Sequence, residues 1–382
     1  MNLKCKAAAV AVLVAAALVQ PARAEPELTG ARFRQLLGET QKVTSSNGID
    51  EARAVTIGGI AQWITVRGRD RRNPILLVLH GGPAAPDLPT RFLFEGAWTD
   101  YFTVVEWDQR GAGRTFALND PATVAPTMTQ DRMVADAEEL VAYLRGAYGK
   151  RKIFAVGHSW GTVLGLRLAK ERPQWLYAYV GMGQIIDMRA GEREGYAFAL
   201  KAAEQDHNAA AVAELKAIAP YPPPDGSLPV DKIGVQRKWS LHYGGLSHGR
   251  SSYDYLSDAQ SLSPDYPQAN VTALVDAGSA FSLPKLLPGL IATNFTGVTQ
   301  LDCPIFIFAG RYDYTTPNAP VARWYEHLKA PSKTWVWFEN FAHMMALEEP
   351  GRVLVHLVQD VRPLAVAAGD APPSERTKAP PR

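Results

Sequence analysis

The sequence predicts an α/β chain: a mostly parallel central sheet flanked by helices, with a mainly helical unit inserted near the middle. Three observations predict it. Short apolar runs rich in β-branched and aromatic residues recur along the chain, and several lack alternation, as strands buried on both faces do. Segments with helical spacing separate these runs, and strand–helix–strand order builds a parallel sheet. Between Met182 and Leu301 no convincing strand occurs, and a long gap between two core strands reads as an inserted cap.

Taken in order, Lys4 and Lys6 precede the apolar run AAAVAVLVAAALV (7–19), and Ala22-Arg23-Ala24 follows it. That pattern predicts a secretory signal over 1–24, cleaved on export to the periplasm or the exterior. The run is too short for the ~20 apolar residues of a membrane anchor, so no stable anchor is expected after cleavage. The first part of the core is expected over 25–186, with strands IAQWITV (60–66), ILLVLH (75–80), FTVVEW (102–107), KIFAVG (152–157) and YAYVGM (177–182). Helices are expected over 129–149, where Met133, Ala137, Leu140, Val141 and Leu144 share a face and Gly149 marks the stop, and over 159–173. The cap is expected over 187–300, opening with one helix at 192–219 followed by Pro- and Gly-rich YPPPDGSLP (221–229). The second part of the core, 301–362, carries strands PIFIFAG (304–310) and TWVWF (334–338) around a helix at 318–330. Its Pro, Ala and charge content predicts that the tail 363–382 is disordered.

Composition narrows the function. The chain has 382 residues, 47% of them hydrophobic, ample for one large core with an insertion. Removal of the signal leaves 37 basic and 38 acidic side chains, which argues against a nucleic-acid partner recruited by charge. Cys5 leaves with the signal, so Cys303 remains alone and no intrachain disulfide can form. No Cys/His cluster or HExxH pair offers a metal ligand set, and no cofactor is expected.

The chemistry is concentrated in five short stretches. GHSWG (157–161) places Ser159 between an expected strand and an expected helix, the context in which G-x-S-x-G forms a sharp turn that exposes a serine hydroxyl. A serine needs a base, and the base needs an orienting acid. Asp313 in GRYDYTTP follows one core strand and His343 in ENFAHMM follows the next, giving the order Ser, Asp, His at strand ends. Asp187, just past YAYVGM, is the rival acid. The other seven histidines fall beside backbone turns, in the cap or within expected helices. LHGGPAAP (79–86) supplies glycines before a possible oxyanion site, for which the amides of Gly82 and Trp160 are the candidate donors. In EWDQRGAGRT (106–115), Asp108 and Arg110 read as loop-holding residues.

Together HGGPA (80–84), WDQRGAGRT (107–115) and GHSWGT (157–162) resemble the proline iminopeptidase branch of the α/β-hydrolases, peptidase family S33, with the resemblance running from about residue 55 to 360. It implies an α/β-hydrolase fold, with Ser159, Asp313 and His343 as the triad and Gly82 and Trp160 as the oxyanion hole. Its members release an N-terminal proline and hold the free amine with cap carboxylates. Glu192, Glu194 and Glu204 are the candidates here, Glu204 the favoured one, although a solvated helix face also explains them. Trp239, Tyr243, Tyr253 and Tyr255 are either pocket walls or core packing. The expectation is therefore an exported serine hydrolase acting on a small peptide, amide or ester. An N-terminal proline is the first candidate substrate, an ester or another amide the second, and a non-catalytic binding protein on the same fold the remaining alternative.

Overall fold

The structure is a computed structural model and describes residues 29–266 and 270–373. The expected signal, 1–24, lies outside the described residues. Eight strands form one sheet in the order β1-β2-β4-β3-β5-β6-β7-β8. They are β1 (Ile49–Ile57), β2 (Ile60–Gly68), β3 (Ile75–Leu79), β4 (Thr103–Asp108), β5 (Ile153–His158), β6 (Leu176–Met182), β7 (Ile305–Gly310) and β8 (Lys333–Phe338). The β1–β2 and β2–β4 pairs are antiparallel, and every other pair is parallel. Seven of these strands answer to the apolar runs of the sequence. The eighth, β1 (IDEARAVTI), is an edge strand whose middle is largely exposed, so it has the charged residues of an edge instead of an apolar run.

The unalternating runs have a direct cause. In β3, Ile75, Leu77 and Leu79 enter one hydrophobic cluster while Leu76 enters another with Val78. The same division sends Ile153 and Ala155 one way and Phe154 and Val156 the other in β5, and Ile305 and Ile307 against Phe306 and Phe308 in β7. Successive side chains point to opposite faces, and both faces here are covered.

On the first face lie the helices Gln130–Ala147 and Trp160–Glu171. The former begins where Thr129 Oγ1 accepts from the Arg132 amide, and Met133, Ala137, Leu140, Val141 and Leu144 all face the sheet. Its last turn passes into Gly149 at φ +63, a left-handed position that glycine occupies without cost. The second face is closed by Phe94, Trp98 and Phe102 and by Val353, Leu357, Val361 and Ala365 from the C-terminal helices.

That last contact corrects the expected tail. Pro363–Ala367 is helical, Ala365 and Ala371 are fully buried, and Lys150 Nζ pairs with Asp370 at 2.6 Å. Its Pro, Ala and charge content suggested disorder, but the small apolar residues at 365 and 371 fill space beside an existing core. The segment is ordered at least as far as residue 373.

Between β6 and β7 the described residues form five helices: Met188–Gln205, Ala209–Ala217, Val230–His242, Asp254–Ser261 and Val271–Ile291. The helix expected over 192–219 is thus two. His207 takes φ 54, and Asn208 Oδ1 accepts from the Ala211 amide to start a new helix, an N-cap that outweighs the continuous helical composition. Ala199, Ala203, Ala211, Leu215 and Trp239 give this unit its own small core. Among the described residues no helix is long and apolar enough to cross a membrane, and no group of three metal-ligating side chains occurs.

Candidate active site

Ser159 sits in the turn between β5 and the helix Trp160–Glu171 with φ 52 and ψ −119. For a residue with a side chain this is a strained conformation, costing ~1–3 kcal/mol. It persists because its surroundings leave no alternative. The Ser159 amide donates to the Met182 carbonyl at 3.0 Å, and the Ser159 carbonyl accepts from Thr162 Oγ1 at 2.6 Å. A Cβ on Gly157 would lie 2.6 Å from the Gly161 carbonyl oxygen, and one on Gly161 would overlap the Leu79 carbonyl oxygen. Both glycines of the motif are therefore required by close backbone approach.

His343 and Asp313 come together as their order in the sequence suggested. Asp313 follows β7, His343 follows β8, and His343 Nδ1 lies 2.9 Å from Asp313 Oδ2. Both are buried. The other carboxylate oxygen, Oδ1, accepts from the amides of Thr315 at 2.9 Å and Thr316 at 2.8 Å, and Thr316 Oγ1 donates to Oδ2 at 2.8 Å. Four donors thus converge on this carboxylate. The acceptor at Nδ1 places the imidazole proton there and leaves Nε2 as the free base. Gly183, at φ +59, makes room for the ring, since a Cβ there would lie 2.9 Å from both Nδ1 and Cε1 of His343.

His158 has a role that its place beside a turn did not suggest. Its Nε2 donates to the His343 carbonyl at 3.0 Å, and the two rings lie 4.8 Å apart. Burial, then the neighbouring His343, lowers its pKa to about 4, so near neutrality it is an uncharged strut under the His343 loop.

The HGGPA loop is tied to the serine turn through Gln109. His80 is fully buried, its pKa lowered by burial to about 4, and its Nδ1 donates to the Gly81 carbonyl at 2.8 Å while Nε2 accepts from the Gln109 amide at 3.2 Å. The Gln109 side chain donates to the His80 carbonyl at 3.1 Å and accepts from Trp160 Nε1 at 3.0 Å. One glutamine therefore joins all three sequence motifs. Gly82 takes φ +112, and Trp160 opens its helix, so the Trp160 amide has no intrahelical acceptor. A Cβ on Gly81 would lie 3.3 Å from Ser159 Cβ, which fixes how closely the loop approaches the serine.

Asp108 and Arg110 hold loops, as their sequence setting suggested. Arg110 Nε pairs with the buried Asp136 at 2.7 Å, and Asp108 accepts from the Arg114 amide at 2.7 Å and from the Tyr266 hydroxyl. Asp187, the rival acid, caps the helix Met188–Gln205 by accepting from the Ala190 amide at 2.9 Å.

The three cap glutamates diverge. Glu192 is buried and already paired, with Arg237 and with the Tyr221 hydroxyl. Glu194 is exposed, and Glu204 is exposed beside Lys216 at 3.4 Å. At 1.5 Å per residue Glu204 lies roughly 18 Å along the helix from Glu192. The face that meets the Asp313 loop carries Gly191 and Gly195, whose added Cβ atoms would approach Pro317 Cδ and the Tyr314 carbonyl. The helix turns Glu204, the favoured candidate, to solvent. Trp239 and Tyr243 pack in the small cap core, Tyr255 stacks under Arg250, and Tyr253 is exposed.

Comparison with known proteins agrees with this architecture. A family described as alpha/beta hydrolase fold matches residues 74–350. A probable aminopeptidase of Bacillus subtilis is 28% identical over 299 residues, 78% of this chain and 92% of that protein. A probable proline iminopeptidase of Streptomyces coelicolor is 38% identical over 118 residues, covering 30% of this chain and 34% of that one. The solved structure of a proline iminopeptidase from Mycobacterium smegmatis superposes with a TM-score of 0.60 at 18% identity, over 83% of this chain and 100% of that chain. With the family match spanning most of the sheet, the strained serine turn and both loops that follow β7 and β8, the chain belongs to the α/β-hydrolase fold family.

Proposed function

We propose that the protein is an exported serine hydrolase of the aminopeptidase kind, releasing an N-terminal proline from a small peptide or amide. The observation that carries the reading is the His343–Asp313 pair behind a serine held at positive φ. Two similar proteins are named as proline iminopeptidases or aminopeptidases, which supports the peptide substrate.

In this reading Ser159 Oγ attacks the carbonyl while His343 Nε2 takes its proton. The imidazolium formed is stabilised by the Asp313 carboxylate, which the Thr315 and Thr316 amides and the Thr316 hydroxyl hold in place. The amides of Gly82 and Trp160 receive the developing oxyanion, each worth on the order of 10²–10³ in rate. His343 then protonates the leaving amine, the C–N bond breaks, and Ser159 carries the acyl group. Water, deprotonated by the same histidine, releases the acid and restores the serine.

Turnover of a proline anilide and of short-chain aryl esters on one purified sample tests the substrate. The reading predicts proline release that is lost when the proline nitrogen is acylated. Ester turnover without proline release would reject it.

A further inference from the structure

His343 stands in the loop after β8, the last strand of the sheet, which has a neighbour on one side only. A base on such a loop is placed by whatever grips its backbone, and three successive backbone groups are gripped from three directions. The Ala342 amide donates to Glu348 Oε2 at 2.9 Å, the His343 amide donates to the Leu246 carbonyl at 3.0 Å, and the His343 carbonyl accepts from His158. Glu348 ends the short helix Met345–Glu348 that follows the histidine. The amides of His248 and Met344 and the Ser247 hydroxyl also lie near its carboxyl and favour its charged form, against the burial that raises its pKa.

Leu246, Ser247 and His248 belong to one segment of the cap, between the helices Val230–His242 and Asp254–Ser261. The same segment grips the acid. The Gly245 carbonyl accepts from the Tyr314 amide at 3.0 Å and from Thr315 Oγ1 at 3.3 Å, so two successive carbonyls of the cap reach the Asp313 loop and the His343 loop. Close packing keeps the segment there. A Cβ on Gly245 would lie 2.6 Å from Ser240 Oγ and 3.0 Å from Phe198 Cε1, Ser247 is fully buried, and the His248 ring stacks on Tyr312 at 3.9 Å.

We propose that Glu348 is a positioning residue for His343: its carboxylate fastens the histidine loop to the cap segment 245–248, so that cap, base and acid are set as one unit. This rests on the serine hydrolase reading for what His343 does and on the hydrogen bonds for how it is held. Glu348 acts through the backbone beside the imidazole and does not touch substrate. Freeing that backbone lets the base shift, and a displacement of about 1 Å costs on the order of 10²-fold in rate. Ser159 and the HGGPA loop are held by other bonds, so substrate binding is spared and the loss falls on kcat.

The test reads turnover, fluorophosphonate labelling of Ser159, and the far-downfield NMR signal of the proton that His343 Nδ1 shares with Asp313. In Glu348→Ala, kcat and the labelling rate are expected to fall about tenfold to a hundredfold with KM within about twofold, and the proton signal to vanish from a folded chain. Glu348→Gln keeps an acceptor oxygen for the Ala342 amide and should recover kcat to within about threefold of wild type. Lys150→Ala breaks the ion pair with Asp370 at the opposite end of β5 from Ser159; it should lower Tm and leave kcat and the signal intact. Wild-type kcat and signal in Glu348→Ala, a Glu348→Gln variant as slow as Glu348→Ala, or an equal loss of kcat in Lys150→Ala would each overturn the proposal. Should Glu348→Ala not fold, Glu348→Asp, one methylene shorter, carries the same expectations, and wild-type kcat and signal in it would overturn the proposal. A wild type without turnover or label, whose proton signal still depends on Glu348, would remove the hydrolase reading and leave the positioning. Turnover and labelling that ignore Glu348 would do the reverse.

Discussion

At the scale of single residues, the account rests on side chains whose surroundings allow one conformation. Gly183 is required because the His343 ring occupies the space a Cβ would take. Gly183→Ala should displace the imidazole and cut kcat/KM by about tenfold or more, read on whichever substrate the enzyme turns over; unchanged kinetics would contradict the geometry. Asp313→Asn keeps the shape but removes the charge that stabilises an imidazolium. A fall in kcat of up to about 10⁴-fold is expected with little change in KM. Of this site, Ser159, Asp313 and His343 were readable because a motif and a chain order encode them. Thr316, Gly183 and His158 were not, since their importance lies in what folds against them. Glu192 shows the same limit: nothing near it in the chain says that Arg237, 45 residues on, neutralises it.

At the scale of elements, the strands were legible wherever both faces are buried, as in β3, β5 and β7. β1 was not, because an edge strand carries Asp50, Glu51 and Arg53 in place of an apolar run. The cap helix was read as continuous because alanines dominate 192–219, while one left-handed His207 and one capping Asn208 divide it. The loops that carry the chemistry are held by Gln109, whose side chain joins the HGGPA loop to the indole of Trp160. Gln109→Leu leaves the His80 carbonyl and the Trp160 N–H without these partners. A loss of ~1–3 kcal/mol of stability follows, and kcat should fall more than KM rises, since the amides of Gly82 and Trp160 would lose their relative placement. Equal stability and kcat in urea melts and steady-state assays would contradict this.

At the scale of the whole molecule, two features bear on stability. The C-terminal helix Pro363–Ala367 closes the second face of the sheet, and Asp370 reaches Lys150. Truncation after residue 362 should lower Tm by several degrees, about 2–4 °C for each kcal/mol lost in a domain of 150–250 residues; an unchanged Tm would refute the packing role. The second feature is Asp108, whose pKa burial raises to about 7 despite its bonds to Tyr266 and Arg114. Its carboxyl holds a proton in the folded chain that the unfolded chain releases at about pH 4. Its contribution to stability is therefore present below pH 4 and lost as pH rises toward 7. Asp108→Asn should flatten the dependence of Tm on pH across that window, and an unaltered slope would contradict the assignment. All of this positions one strained serine at the top of the sheet, and labelling with a fluorophosphonate tests that most directly. The account predicts one adduct per wild-type chain, located on Ser159 by mass spectrometry, and none on Ser159→Ala. Labelling that persists in Ser159→Ala, or a folded wild type that takes up no label, would contradict it.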